Sequence, residues 1–159
     1  MSKNQILIVD DEPDIRELLE LTLGRMNLET RSAQNIKEAH HLLEQFKFDL
    51  CLTDMRLPDG NGIELVRHIQ DRHPYLPVAV ITAFGNMETA VAALKAGAFD
   101  FVSKPLDLND LRNIVRVVLN REAGEAAYGE AGRSYRAWLD SGVLAADDEA
   151  SAGLLLQRL

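Results

Sequence analysis

Ile6-Leu7-Ile8-Val9-Asp10-Asp11 is an uninterrupted apolar run, rich in β-branched residues, that ends on two carboxylates. A run this short, without polar alternation, reads as a strand buried on both faces, the kind that parallel sheets contain. The period then changes. Pro13 and Asp14 open a segment with apolar residues at Ile15, Leu18, Leu19 and Leu23. That spacing is helical, and proline suits a first helical turn. Gly24 stands near the expected helix end.

The same unit recurs along the chain. Residues 28–33 read as a weaker strand, and Asn35 can cap a helix carrying Ala39, Leu42, Leu43 and Phe46. Residues 48–53 form a second strongly apolar strand that ends at Asp54, followed by a turn over residues 58–62. A helix over 63–73, a strand at Val78–Thr82 and an alanine-rich helix over Met87–Ala96, stopped by Gly97, come next. A last strand over 98–103, a turn at Lys104-Pro105 and a last helix over 109–120 complete the pattern. Strands alternating with helices imply an α/β fold with a mostly parallel sheet. In such sheets ligands bind outside the carboxyl ends of the strands, at the topological switch point. Asp10, Asp11, Asp54, Thr82 and Lys104 all fall at those ends.

Composition narrows the function classes. The 159 residues are enough for one domain with a real core, and 47% hydrophobic with 26% charged is ordinary for a globular protein. A net charge of −8, shared about equally between residues 1–121 and the remainder, argues against a broad nucleic-acid or membrane footprint. The one cysteine, Cys51, lies in an apolar run and reads as a buried core thiol, so no intrachain disulfide is possible. The apolar run after Lys3 is too short for a signal peptide or a membrane span, so a cytoplasmic location is expected. After Arg121 the composition shifts. Residues 122–134 are rich in Ala, Gly and Glu and read as a linker, and the rest, which contains Trp138, is weakly patterned.

Carboxylates gathered in one crevice repel each other, and without a cation at least one of them should hold a raised pKa. A hard divalent cation with oxygen ligands resolves this, and Mg²⁺ typically takes one or two carboxylates and keeps several waters. A carboxylate can itself attack phosphorus to give an acyl phosphate. Lys104 would supply a fixed positive charge for one phosphoryl oxygen and the Thr82 hydroxyl a donor for another.

Four stretches then make a specific match. ILIVDDEPDIRELL at 6–19, DLCLTDMRLPDGNGIEL at 49–65, VAVITAFG at 78–85 and KAGAFDFVSKPL at 95–106 resemble the receiver domains of two-component response regulators, in family order. The resemblance covers residues 5–121. It implies a flavodoxin-like (βα)5 fold with sheet order 2-1-3-4-5, and a receiver domain at 1–121 followed by an unrecognised tail at 122–159. It implies Asp54 as the phosphoacceptor, with Thr82 and Lys104 sensing the phosphoryl group. It implies Mg²⁺ held by Asp10, Asp11, Asp54 and the backbone carbonyl of Arg56, and Phe101 as an aromatic switch. It sets Arg56 and Phe84 beside the path of attacking water, and implies a cis bond at Lys104-Pro105.

Within that family the wording is most similar to receivers of NtrC-type activators of sigma-54-dependent transcription, the regulators of type IV pilus expression among them. The partners so implied are a sensor histidine kinase and, on phosphorylation, a second copy of the chain. No direct nucleic-acid or membrane contact is implied. Such activators continue into an ATPase and a helix-turn-helix. This chain has no G-x-x-x-x-G-K-[ST] loop, and residues 122–159 are too few for either module.

The expected function is therefore that of a phosphorelay switch rather than an enzyme. It is either the N-terminal part of such an activator or a stand-alone receiver acting through protein contacts. An aspartyl-phosphate hydrolase of the haloacid dehalogenase type would carry a second Asp where Arg56 stands. A flavodoxin would need a hydroxyl- or Gly-rich phosphate loop where Asp10-Asp11-Glu12 stands. His40, His41, His68 and His73 lack metal-ligand spacing and read as solvated surface.

Overall fold

The structure is a computed structural model that describes residues 3–83 and 87–119. Phe84, Trp138 and all of residues 122–159 lie outside the described residues. Five strands form one parallel sheet: β1 (Gln5–Val9), β2 (Glu29–Ala33), β3 (Leu50–Asp54), β6 (Val78–Thr82) and β7 (Asp100–Ser103), in the order β2-β1-β3-β6-β7. A small antiparallel ribbon of β4 (Arg56–Leu57) and β5 (Gly60–Asn61) follows β3. With the ribbon set aside, this is the flavodoxin-like 2-1-3-4-5 order. The helices are α1 (Pro13–Arg25), α2 (Ile36–Gln45), α3 (Gly62–Arg72), α4 (Met87–Ala96) and α5 (Leu108–Leu119).

The inner strands are buried over nearly their whole length, and their side chains alternate between two apolar layers. Leu7, Val9, Cys51, Val78 and Val80 face a layer built with Ala39, Leu43, Leu65, Val66, Ile69 and Leu94 from α2, α3 and α4. Ile6, Ile8, Leu50, Leu52, Ala79 and Ile81 face the other layer, built with Leu19, Leu23, Leu111, Ile114 and Val115 from α1 and α5. Fully burying one such side chain stabilises by about 1.5–3 kcal/mol, so the register is fixed from both faces. A slip of one residue would exchange the two layers.

Local chemistry sets the helix ends. Pro13 stands in the first turn of α1. Asn35 caps α2 as expected, its Oδ1 accepting from Glu38 N at 2.8 Å. Asn61 caps α3 in the same way, accepting from Glu64 N at 3.1 Å.

The structure departs from the expectations in particular places. The stretch 58–62 is more than a turn, because Arg56 pairs with Asn61 and Leu57 with Gly60. Strands of two residues are too short to show a period. The histidines are not uniformly solvated. The His40 and His68 rings stack with centroids 4.0 Å apart, and His68 lies 6.1 Å from His73. His40 and His68 are half-buried, because α2 and α3 lie side by side on one face of the sheet. Burial, with His40 and His73 nearby, lowers the pKa of His68. Only His41, exposed and bonded to Gln45 at 3.1 Å, fits the solvated reading. Cys51 is fully buried, as expected.

Candidate functional site at the carboxyl ends of the strands

Asp10 is the first residue beyond β1. Its N–H donates to the Ala33 carbonyl at 3.1 Å, which extends the pairing with β2 and fixes its backbone. Its side chain is fully buried. Oδ1 accepts from Glu12 N at 2.9 Å, whereas Oδ2 is buried without a hydrogen bond. Burial, reinforced by the Asp54 charge, pushes the Asp10 carboxyl up to about 6, against the lowering effects of the Glu12 N–H and Lys104.

Asp54 closes β3, also buried. Its Oδ1 accepts a long bond of 3.4 Å from Arg56 N, and its Oδ2 accepts from Lys104 Nζ at 3.0 Å. The backbone beneath it is held tightly. Met55 N donates to the Ile81 carbonyl at 3.1 Å, and Gly62 N donates to the Met55 carbonyl at 2.8 Å. A Cβ at Gly62 would lie 2.5 Å from the Asp54 carbonyl oxygen, so glycine is required for α3 to start this close to the site.

Lys104 follows β7 and reaches across the crevice. Its ammonium lies 3.0 Å from Asp54, 3.3 Å from Glu12 and 3.6 Å from Asp10. Burial by itself would push its pKa down. The hydrogen bond to Asp54 and the charges of Asp10 and Asp54 overcome that and hold it above the ordinary lysine value. Its backbone is set by the neighbouring strand, since Lys104 N donates to the Thr82 carbonyl at 2.7 Å. The Lys104-Pro105 bond is cis.

Asp11 is exposed at the rim. Ligand oxygens of Asp10, Asp11, Glu12 and Asp54 all lie within 4.8 Å of one another. An all-oxygen donor set, an excess of negative charge and an orphaned buried oxygen on Asp10 together fit a hard divalent cation.

The expected residues thus fall into groups. Asp10, Asp11, Asp54 and Lys104 form one cluster. Thr82, buried at the end of β6, joins it through the backbone of Lys104. Arg56 is exposed on β4, with its N–H turned toward Asp54. Phe101 sits on β7, three residues before Lys104 and paired in register with Val80 of β6, half-buried and packed against the α2–α3–α4 layer. Glu12 was not singled out from sequence, yet it is the third partner of Lys104. The signal was there in the unbroken run Asp10-Asp11-Glu12.

The model of the response regulator receiver domain matches residues 6–116. Response regulator protein PilR of Pseudomonas aeruginosa is 65% identical over 129 residues, covering 79% of this chain and 29% of that protein. The DNA-binding transcriptional regulator NtrC of Escherichia coli is 36% identical over 110 residues, covering 69% of this chain and 24% of that protein. Among solved structures, the beryllofluoride-activated NtrC4 receiver domain dimer superposes with a TM-score of 0.69 at 29% identity, covering 74% of this chain and 97% of that one. The chain spans less than a third of the length of these two curated relatives.

Proposed function

The chain belongs to the response regulator receiver domain family, and from that premise we propose that Asp54 accepts a phosphoryl group from the phosphohistidine of a sensor kinase. A carboxylate oxygen of Asp54 forms a bond to phosphorus as the phosphorus–nitrogen bond breaks, and the imidazole leaves. The observation that carries this reading is the position of Lys104, with its ammonium 3.0 Å from Asp54 Oδ2. A cation already held beside Asp54 partners the phosphoryl oxygens as charge builds on them.

Mg²⁺ is the cation that fits the donor set, and Asp10, Asp11 and Asp54 with the Arg56 carbonyl would hold it. When bound it supplies positive charge against which carboxylates and phosphoryl oxygens can approach each other. The remaining work belongs to the chain. The apolar side chains beneath the crevice keep Asp10 and Asp54 fixed, and Lys104 turns from Glu12 toward the new phosphoryl oxygen. Thr82 donates its hydroxyl to another oxygen, and Phe101 fills the space that its movement leaves, because packed interiors tolerate few voids. This reshapes the face made by α4, β7 and α5. A second copy of the chain then docks there, a reading supported by the likeness to a beryllofluoride-activated receiver dimer. The likeness to PilR and NtrC supports an output in transcription, within a longer protein.

The direct test is incubation with acetyl phosphate and Mg²⁺, read by intact mass. The parent should gain one acid-stable, base-labile phosphoryl group, and Asp54→Asn should gain none. Equal labelling of the two proteins overturns the assignment. Beryllofluoride with Mg²⁺ should also raise the sedimentation coefficient of the parent and leave Asp54→Ala unchanged.

A further inference from the structure

The segment that leaves the candidate site after Asp54 is tied to a helix that has no part in the chemistry. Asp59, at the tip of the β4–β5 ribbon, accepts from Ile36 N at 2.9 Å through Oδ1 and from Lys37 N at 3.1 Å through Oδ2. These are first-turn amides of α2, which the helix itself cannot satisfy. The N-cap Asn35 serves Glu38 N, so Asp59 and Asn35 divide the first turn between them. The neighbouring residue closes the joint. A Cβ on Gly60 would lie 2.7 Å from the Ile36 side chain, which shows how closely the ribbon presses on α2. The Ile36 N–H, followed by that of Lys37, holds the Asp59 carboxyl below the usual carboxylate range, so the acceptor is ionised and the bonds are charge-assisted.

The far side of the same ribbon carries Arg56. Its strand pairs Arg56 with Asn61 and Leu57 with Gly60, so Asp59 and Arg56 belong to one short hydrogen-bonded unit. Where Asp59 is anchored, Arg56 has little freedom. We propose that Asp59 is a positioning residue for the metal centre, because its tie to the first turn of α2 fixes the ribbon and hence the Arg56 carbonyl. This rests on the reading of Asp10, Asp11, Asp54 and the Arg56 carbonyl as the holders of Mg²⁺. It goes beyond that reading by giving a role to a residue that touches neither metal nor phosphoryl group. Groups that orient a metal ligand are worth roughly 10–100-fold in metal affinity when removed. The pairing with Asn61 and the backbone bonds of Met55 to Ile81 and Gly62 also support this carbonyl, so Asp59 should sit at the low end of that range.

The test is calorimetric titration of the full chain with Mg²⁺, alongside thermal melts, for the parent, Asp59→Ala, Asp59→Asn, Asn35→Ala and Asp11→Asn. Asp59→Ala should bind Mg²⁺ roughly tenfold more weakly. Asp59→Asn, which keeps one acceptor oxygen, should recover part of that loss. Asn35→Ala weakens the same helix end without touching the ribbon, so it should lower the melting temperature and leave Mg²⁺ affinity as in the parent. Without metal, Asp59→Ala should also remove hydrogen-exchange protection at the Ile36 and Lys37 amides and at the paired ribbon residues. Parent-like Mg²⁺ affinity in Asp59→Ala overturns the inference, as does an equal loss in Asn35→Ala, which would mean that fraying of α2 is the cause. If the parent binds no better than Asp11→Asn, the metal reading itself falls and the inference with it. The Asp11 control thus tells the two failures apart.

Discussion

Between Val9 and Asp10, and again between Thr53 and Asp54, the sheet changes character within a single residue. The bodies of β1, β3 and β6 are apolar, with Ile6 to Val9, Leu50 to Leu52 and Val78 to Ile81 all but inaccessible. Their carboxyl ends hold Asp10, Asp54 and Thr82, which are buried like the apolar residues behind them. Burial stabilises the first region and strains the second. An apolar side chain gains by leaving water, whereas a carboxylate loses its hydration and must find replacements. Asp10 finds replacements for only part of its need, with one oxygen bonded to Glu12 N and the other without a hydrogen bond. The fold therefore holds the Asp10 carboxylate in a place that disfavours its charge, directly above a core stable enough to keep it there.

Substitutions test this contrast, and the largest effect on stability belongs to the strand bodies. Leu52→Ala deletes a fully buried side chain facing α1 and α5, and should destabilise by about 2–5 kcal/mol. Urea unfolding measures it. The contrast sharpens if the surviving folded protein still takes up phosphoryl from acetyl phosphate, since the crevice chemistry lies elsewhere.

The strand ends should respond with the opposite sign. Asp10 has its folded-state pKa raised to about 6 from 3.8. Between these values the folded state binds the proton more tightly than the unfolded chain does. Stability is therefore lost as pH rises through that window, and the charged form costs up to roughly 3 kcal/mol above it. In EDTA at pH 7, Asp10→Asn should be more stable than the parent by roughly 1–3 kcal/mol. The advantage should shrink toward nothing as pH approaches 4. Urea melts across that range decide it. A variant less stable than the parent at every pH would break the comparison, because the strand end would then be stabilising.

Thr82→Ala should cost less stability than Leu52→Ala, about 1–2 kcal/mol, since one buried methyl and one neutral hydroxyl are removed. Its mark should be functional, with weaker self-association in beryllofluoride and Mg²⁺ while labelling at Asp54 persists. Sedimentation velocity reads the first, and intact mass the second. A parent-like shift in sedimentation would remove Thr82 from the switch.

Much of this contrast was legible before any coordinates. An apolar run that ends on a carboxylate announces both the strand and its functional end, and β1, β3 and β6 lie within two residues of where those runs placed them. The adjacency of Lys104 to Asp54 was not legible from spacing, because the two are 50 residues apart and meet only when β7 joins the sheet edge. The α/β pattern placed both at the carboxyl ends of the strands, and family resemblance joined them as phosphoacceptor and sensor. Asp59 and Glu12 were hidden for different reasons. Asp59 stands in a Pro-Asp-Gly turn, where aspartate needs no further explanation, and its partners on α2 precede it by 22 and 23 residues. Glu12 stands beside two stronger candidates and is exposed, so only the reach of Lys104 distinguishes it. The stacking of His40 on His68 belongs to the same class, since nothing local joins them and the packing of α2 beside α3 does.

Cys51 is the second residue of the central strand, between Leu7 of β1 and Val78 of β6, and it is the single thiol of the chain. Burial pushes that thiol well above its ordinary pKa, and no atom of it is accessible in the folded state. A thiol reagent can therefore reach it only when the middle of the sheet opens. The protein thus contains its own clock for global unfolding. The rate at which an alkylating reagent consumes Cys51 counts the excursions of the whole sheet, and it remains blind to every smaller motion at the rim.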